Sequence, residues 1–265
     1  MWSAKYWGDA VAFERWAQQI IEKELNRPVV IHDDGSQPSM YDLRIGDVEA
    51  PEVAIECVGA VDSVFTETWN VGPGRGSFSL AVKGDWRIGI AREAHIRAIR
   101  QRIEPILQDL EERDVSEVRV GHLLNRHDSR LLRELESLDI RYIRCFRMPG
   151  TGRVHMLMEG VGGFVDSAGS TLPQWIEEFL CDPEREDVLF KLRNTSAQER
   201  WVFVPVTFGG APWSVESYLT GELECLPATE PNLPTPVTGI WVASTFGTHG
   251  VRWDSTGWRS FRARE

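Results

Sequence analysis

Asp42 and Glu56 are the two residues whose type and spacing most strongly indicate chemistry in this sequence. Residues 41–46 and 53–58 alternate apolar and polar side chains with a period of two, which predicts two antiparallel strands joined by a turn. If that turn is centred on Glu49, Asp42 lies directly opposite Glu56. Carboxylates opposed in this way have Cβ atoms about 4.5–5.5 Å apart and repel each other. The predicted hairpin therefore requires something that offsets this repulsion.

Three kinds of partner could offset the repulsion. A divalent cation would bind both carboxylates, a shared proton would raise the pKa of one of them, and a nearby basic side chain would neutralise their charge. Mg²⁺ suits such a pair because it prefers carboxylate and water ligands. Arg44 lies on the same face as Asp42, so it could neutralise both acids on a sheet face that is open to solvent and carries no chemistry. The residues alone leave these alternatives open.

The elements around this pair predict an α/β protein. The opposite face of the hairpin is apolar and would pack in the core; it carries Tyr41, Leu43, Ile45, Val53, Ile55 and Cys57. Apolar residues at helical spacing predict helices at about 9–26, 93–112 and 129–138. Helices and strands alternate along the rest of the chain, which indicates a mixed sheet with flanking helices.

The length of 265 residues fits one large domain or two small ones. Gly160-Val-Gly-Gly is the clearest internal boundary. We therefore predict an α/β core over residues 1–160 and an α/β C-terminal extension over residues 161–265. The extension is rich in Trp, and the strand-like apolar surroundings of most of these side chains favour packing in the core over binding of bases or carbohydrate.

Residues 9–91 place a helix, a strand, an acidic hairpin, a second helix and a further strand in succession. Pro38 with Asp42, and Glu56-Cys57-Val58 after them, resemble the Pro-Asp and acidic-x-Lys elements of the PD-(D/E)xK nuclease superfamily. The resemblance implies a restriction-endonuclease-like fold and Mg²⁺-dependent hydrolysis of nucleic acid phosphodiesters, with Asp42 and Glu56 as metal ligands. Val58 stands where the family has the Lys that orients or activates the attacking water.

The resemblance also suggests roles for residues outside the hairpin. Glu14, on the first helix, matches an acid that some members use in the same site. Lys83 or Arg44 could take the place of the missing Lys, with Arg44 contacting the scissile phosphate; without a replacement the site would be inactive. The chain resembles, more loosely, actinobacterial proteins with Trp-rich C-terminal segments, a likeness that implies no activity.

Charge is unevenly distributed along the chain. The net charge is −11, yet residues 92–153 sum to +2 and all of their basic residues are Arg. An acidic chain is a poor non-specific ligand for polyanions, because each phosphate contact needs a cation. Nucleic acid would therefore be bound by the middle third, where pairs of Arg three residues apart can share one helix face. These pairs are Arg97 with Arg100 and Arg130 with Arg133; a solvated Arg-rich surface is the alternative.

Several classes of protein are excluded by missing patterns. The four Cys are far apart and no HExxH motif occurs, which argues against a zinc site. No P-loop or GxSxG motif is present. Without a long apolar run or a signal-peptide core, we expect a cytoplasmic protein that does not enter membranes.

Two functional classes remain for this sequence. The first is a metal-dependent nuclease, or an inactive relative of one, that acts on DNA or RNA. The second is a non-enzymatic module that uses the nuclease-like fold as a scaffold for a protein partner. Val58 favours the second class, and the retained Asp42 and Glu56 favour the first. The sequence does not indicate the oligomeric state.

Overall fold

The structure is a computed structural model that describes residues 10–36, 39–121, 129–159, 162 and 165–264. The chain divides into two compact units. The first unit combines Met1–Val61 with Gly163–Glu265, and the second unit is Asp62–Gly162. The second unit is therefore an insertion within the sequence of the first.

The described residues form helices and strands in alternation along the chain. The helices are α1 (Ala10–Leu25), α2 (Ser63–Val71), α3 (Ile96–Glu112), α4 (Ser129–Ser137), α5 (Leu172–Leu180), α6 (Glu186–Arg193) and α7 (Trp213–Thr220). The strands are β1 (Val30–Ile31), β2 (Leu43–Gly46), β3 (Pro51–Cys57), β4 (Ser77–Ser79), β5 (Asp85–Ile90), β6 (Glu117–Arg119), β7 (Ile140–Arg147), β8 (Arg153–Met158), β9 (Glu199–Val206), β10 (Gly239–Ser244), β11 (His249–Asp254) and β12 (Gly257–Arg262). Pro73–Arg75 and Pro183–Arg185 are short 3₁₀ helices.

The first unit is built on a seven-stranded mixed sheet of order β1-β2-β3-β9-β10-β11-β12. The central strands β3, β9 and β10 are parallel, and the strands on either side are antiparallel. Both faces are covered. One face packs with α1 through a cluster that includes Ala17, Ile21 and Ile55, and the other packs with α5, α6 and α7 through a cluster that includes Val202 and Leu192.

The acidic hairpin has the predicted register. Leu43 pairs with Ile55, Arg44 with Ala54 and Ile45 with Val53, and an irregularity follows at Gly46. This register confirms that one face of the hairpin is apolar, because these Leu, Ile and Val side chains are buried in one cluster.

One residue of the predicted apolar face packs elsewhere. Tyr41 is buried as expected, but it belongs to the cluster beneath α5, α6 and α7. The reason is that β2 begins at Leu43. Tyr41 therefore precedes the strand, and its side chain does not follow the alternation of the hairpin.

The second unit has its own sheet and core. Its five strands have the order β4-β8-β5-β7-β6, with β5 and β8 parallel and the remaining pairs antiparallel. Helices α3 and α4 cover one face of this sheet, where Ile103 and Leu107 pack with Trp86, Ile88 and Ile143.

The predicted α/β class with mixed sheets and flanking helices is confirmed. The predicted boundary near residue 160 lies close to the end of the second unit, whereas the predicted 1–160 segment contains residues of both units. The strands and helices after residue 163 do not form a separate extension, because β9 pairs with β3 and continues the sheet of the hairpin. Trp175, Trp201 and Trp241 are buried. None of the described helices is long and apolar enough to cross a membrane.

The separate core of the second unit predicts that Asp62–Gly162 folds when produced alone. We expect a cooperative thermal transition by circular dichroism, because a segment of this size can bury a core of its own. Ile103→Ala should lower the free energy of unfolding of this fragment by about 2–5 kcal/mol, since Ile103 is fully buried. A fragment that melts without a cooperative transition would contradict this prediction.

Candidate functional site

Asp42 and Glu56 are brought together at the start of β2 and near the end of β3. Asp42 directly precedes β2, and Glu56 follows Ile55, the residue that pairs with Leu43, so the two acids lie at the same end of the hairpin. Both are acids in the interior of the first unit, with 6% of Asp42 and 2% of Glu56 exposed. Charged carboxylates at this depth need a partner, because their desolvation is costly.

Lys191 supplies that partner. Its Nζ atom lies 3.2 Å from Glu56 Oε2 and 3.9 Å from Asp42 Oδ1. Lys191 is on α6, which is held against the hairpin by neighbouring core residues Val188, Leu189 and Leu192. The Lys191 side chain is partly buried, with 21% of it exposed, so it lies closer to solvent than the two acids. A cluster of two carboxylates and one lysine is the result.

Sequence reasoning missed Lys191. It is 135 residues from Glu56 along the chain, in a short helix without a recognisable motif. The one available signal was its position between Leu189 and Leu192, since a Lys beside core positions often covers a buried partner with its ammonium. That signal does not identify which partner.

The remaining carboxylate oxygens have different surroundings. The backbone N–H of Cys57 donates to Asp42 Oδ2 at 2.6 Å, which fixes the orientation of this acid. Glu56 Oε1 is buried and has no hydrogen-bond partner among the described residues. An unpaired buried oxygen is costly. Glu56 therefore has one oxygen available for a ligand that approaches the pair.

The electrostatics of the cluster follow from its burial. Burial, and then the charge of Asp42, raise the pKa of Glu56 to about 9 in spite of the attraction of Lys191. Burial also raises the pKa of Asp42, but the Cys57 N–H and the Lys191 ammonium oppose this shift. Burial would lower the pKa of Lys191, yet the two carboxylates outweigh it and raise that pKa. At neutral pH Glu56 therefore keeps a proton, and the Lys191 ammonium lies 3.2 Å from Glu56 Oε2 and 3.9 Å from Asp42 Oδ1.

The alternative of an open sheet face neutralised by Arg44 is wrong. The face that carries Asp42 and Glu56 is covered by helices, and the cation near the pair is Lys191. The guanidinium of Arg44 instead donates through Nη1 to the carbonyl oxygen of Gly46, at the irregular end of the hairpin. Its predicted contact with a phosphate stays a prediction.

Glu14 is on α1, the helix that packs against the other face of the sheet. Burial, then Asp42 and Glu56, and least of all Glu14 raise the pKa of Cys57. The Cys57 thiol is therefore protonated at neutral pH and is neither a nucleophile nor a thiolate ligand. A catalytic role for Glu14 stays a prediction.

The other predicted site residues belong to the second unit. The backbone N–H of Lys83 donates to Glu111. The guanidinium of Arg100 lies 5.3 Å from the ring centroid of Phe78. Three further Arg are exposed on α3 and α4: Arg97, Arg130 and Arg133. The predicted roles of these residues in catalysis or nucleic acid binding stay predictions, and Pro38 lies outside the described residues.

The donor set can be compared with the needs of a metal ion. Within the described part of the chain, no three His, Cys, Asp or Glu side chains converge as a metal-binding group. Asp42 and Glu56 therefore offer two carboxylates. This set fits Mg²⁺, which keeps several water ligands and is commonly bound through one or two carboxylates. It does not fit a structural zinc site, which requires four protein ligands.

Family models, curated proteins and solved structures give no match to this chain.

The raised pKa of Glu56 predicts a specific dependence of stability on pH. Because the folded state holds this proton up to about pH 9 and the unfolded state releases it near pH 4.5, the contribution of Glu56 to stability is lost as pH rises between these values. Glu56→Gln does not titrate, so its stability relative to the natural protein should rise with pH, by at most about 1.4 kcal/mol per unit. Urea unfolding at pH 5, 7 and 9 in the presence of EDTA measures this.

Glu52→Gln is the matched control, because Glu52 is on the same strand but exposed. Its stability relative to the natural protein should be nearly constant over the same range. An equal pH dependence of the two variants would show that Glu56 is ionised at neutral pH, which contradicts the account of the cluster.

Proposed function

We propose that the protein is a Mg²⁺-dependent phosphodiester hydrolase of the nuclease type, with its reaction centre at Asp42, Glu56 and Lys191. The observation that supports the proposal is the convergence of these three side chains at distances of 3.2–3.9 Å from the lysine ammonium. The PD-(D/E)xK resemblance requires an acidic pair and a lysine at one point. Lys191 would then take the place of the family's motif lysine, at whose position this chain has Val58.

Asp42 and Glu56 would hold the metal ion. Glu56 Oε1 is buried without a partner among the described residues, which fits an oxygen kept for a ligand. When bound, Mg²⁺ supplies charge stabilisation at the phosphoryl oxygens and acidifies a coordinated water. Glu56 would lose its proton when the ion binds, so binding should become tighter as pH rises.

Lys191 would act on the side that faces solvent. It is the most exposed of the three side chains, and its ammonium has three donors. It can therefore orient a water for in-line attack and stabilise the negative charge that develops on the phosphoryl group. Because α6 is packed into the core, the ammonium is positioned before substrate arrives.

A non-enzymatic scaffold is the second candidate, and one observation favours it. Lys191 and one proton on Glu56 already compensate the pair without a metal ion. A buried cluster compensated in this way could serve only to hold α6 against the hairpin. In that case the chain would be a module for a protein partner.

Metal binding separates the two candidates. A ligand that binds only the folded state stabilises it, by about 1.4 kcal/mol at a concentration tenfold above its dissociation constant. We expect Mg²⁺ or Mn²⁺ at 10 mM to raise the midpoint of thermal unfolding, and Asp42→Asn to abolish the shift. Asp47→Asn, in the exposed hairpin turn, should keep it. An equal shift in both variants would place the ion elsewhere.

Hydrolysis is tested with fluorescently labelled single-stranded and double-stranded oligonucleotides and Mn²⁺. We expect cleavage that falls by a factor of about 10² or more in Lys191→Met, because a preorganised charge at the phosphoryl group is lost. The Asp47→Asn variant should cleave at the natural rate. A metal-induced stability shift without cleavage would indicate an inactive relative of a nuclease, and neither effect would favour the protein-interaction module.

A further inference from the structure

The second unit has a sheet face on which neither of the described helices α3 and α4 packs. Helices α3 and α4 pack on one face of this sheet, while side chains on the opposite face are exposed or half-buried. We name this face the sheet platform. Its members are Arg87, Arg119, Tyr142, Arg144, Phe146 and His155.

The strand registers place these side chains side by side. His155 on β8 pairs with Arg87 on β5, and Arg87 pairs with Arg144 on β7. In the next row, Tyr142 on β7 pairs with Arg119 on β6 and, across the other side, with Gly89 on β5. Aromatic and cationic side chains therefore lie next to one another on this face, together with the acidic Glu117 opposite Arg144 and the exposed Leu157 opposite Gly89.

The aromatic rings of the platform lie where a flat ligand could reach them. Phe146 is 41% exposed, and its ring centroid is 4.7 Å from the guanidinium of Arg87 and 5.7 Å from the ring of His155. Tyr142 lies across Gly89, since a Cβ atom there would come within 2.0 Å of the Tyr142 ring. Gly89 therefore allows the Tyr142 ring to lie on the sheet.

The sheet platform carries more positive than negative side chains. Arg87 and Arg144 are directly opposed, and like charges opposed across strands are destabilising. Glu117 compensates only in part, because it is shared between Arg119 at 2.7 Å and Arg144 at 3.8 Å. Beside them, a shallow hollow of about 220 Å³ is lined by Arg119, Val120, Gly121, Arg141, Tyr142 and Glu159. This cationic surface on an acidic chain calls for an anionic ligand.

We propose that the sheet platform binds single-stranded nucleic acid. Arg87, Arg119 and Arg144 contact phosphates, and unpaired bases stack on Phe146 and Tyr142. The binding surface lies in the second unit and requires no hydrolysis at Asp42 and Glu56, so this function goes beyond the one proposed above. It also differs from the predicted role of the Arg on α3 and α4, which pack on the covered face of the same sheet.

A single strand fits this surface better than a duplex. In a duplex the bases are stacked on each other and do not present their faces to protein rings, whereas an unpaired base can stack on an aromatic side chain. Aromatic rings and Arg side chains on one sheet face can bind both parts of a single strand, because the bases stack on the rings and Arg contacts the phosphate backbone. A protein partner would use Phe146 for apolar contact and would not require its aromatic ring.

Fluorescence anisotropy with the full-length chain tests the proposal, with labelled dT₁₂ and U₁₂ as probes at 50 mM salt. EDTA is included so that no metal-dependent cleavage occurs. Phe146→Ala should weaken binding by a factor of about 5–150, the range for the loss of one stacked base. Phe146→Leu should weaken it similarly and Phe146→Trp should retain it, which separates stacking from apolar contact. Thermal melts of each variant verify folding.

The charge contacts are tested in the same assay. Arg87→Ala combined with Arg144→Ala should lower the slope of log affinity against log salt by about 1.4, from about 0.7 for each lost phosphate contact with a single strand. Arg259→Ala with Arg262→Ala, two exposed residues of β12 in the first unit, removes equal charge elsewhere and should leave the slope unchanged. Asp42→Asn should bind normally, which makes failure here distinct from failure of the hydrolase.

Three results would overturn the proposal. The first is no binding of either probe at 50 mM salt. The second is binding that survives the platform variants but is lost in Arg130→Ala with Arg133→Ala, which would assign it to α4. The third is equal affinity of Phe146→Leu and the natural protein, which would show that no base stacks on this ring and would favour a protein ligand.

Discussion

Two acids buried beneath one helix are the constraint on which the first unit depends. Asp42 and Glu56 must lose their water when α6 covers the hairpin, and Lys191, the Cys57 backbone N–H and a proton on Glu56 compensate them. A buried pair of this kind contributes little net stability compared with apolar side chains of similar volume. Its presence therefore argues for a use beyond folding, which the proposed hydrolase provides.

The topology of the first unit brings α6, and with it Lys191, back to the hairpin. The hairpin precedes the 62–162 insertion in the chain, and α6 follows it, yet β9 pairs in parallel with β3 and returns the chain to the hairpin. The short segment from α6 to β9 therefore sets where Lys191 can lie. The insertion adds a second sheet with an exposed aromatic and cationic face, so the proposed hydrolysis and the proposed nucleic acid binding concern separate units.

The features that could be predicted from the sequence are those that depend on residues close together in the chain. The alternation in 41–46 and 53–58 and the position of the turn were sufficient for the register that pairs Leu43 with Ile55 and brings Asp42 and Glu56 to the same end of the hairpin, because both are properties of neighbouring residues. The covered face and Lys191 could not be predicted, since they depend on a helix 135 residues away. The insertion was also missed, because strands of both units alternate alike and only their pairing distinguishes them.

A double-mutant cycle between Asp42 and Lys191 tests most directly whether Lys191 compensates the buried acids. Urea unfolding at pH 7 in EDTA would be measured for Asp42→Asn, Lys191→Met and the double variant. Removing Lys191 alone leaves an uncompensated buried charge and should cost about 3–5 kcal/mol. Removing both leaves none, so the double variant should lose about 1–3 kcal/mol less than the sum of the single losses. Losses that add within about 0.5 kcal/mol would contradict the account.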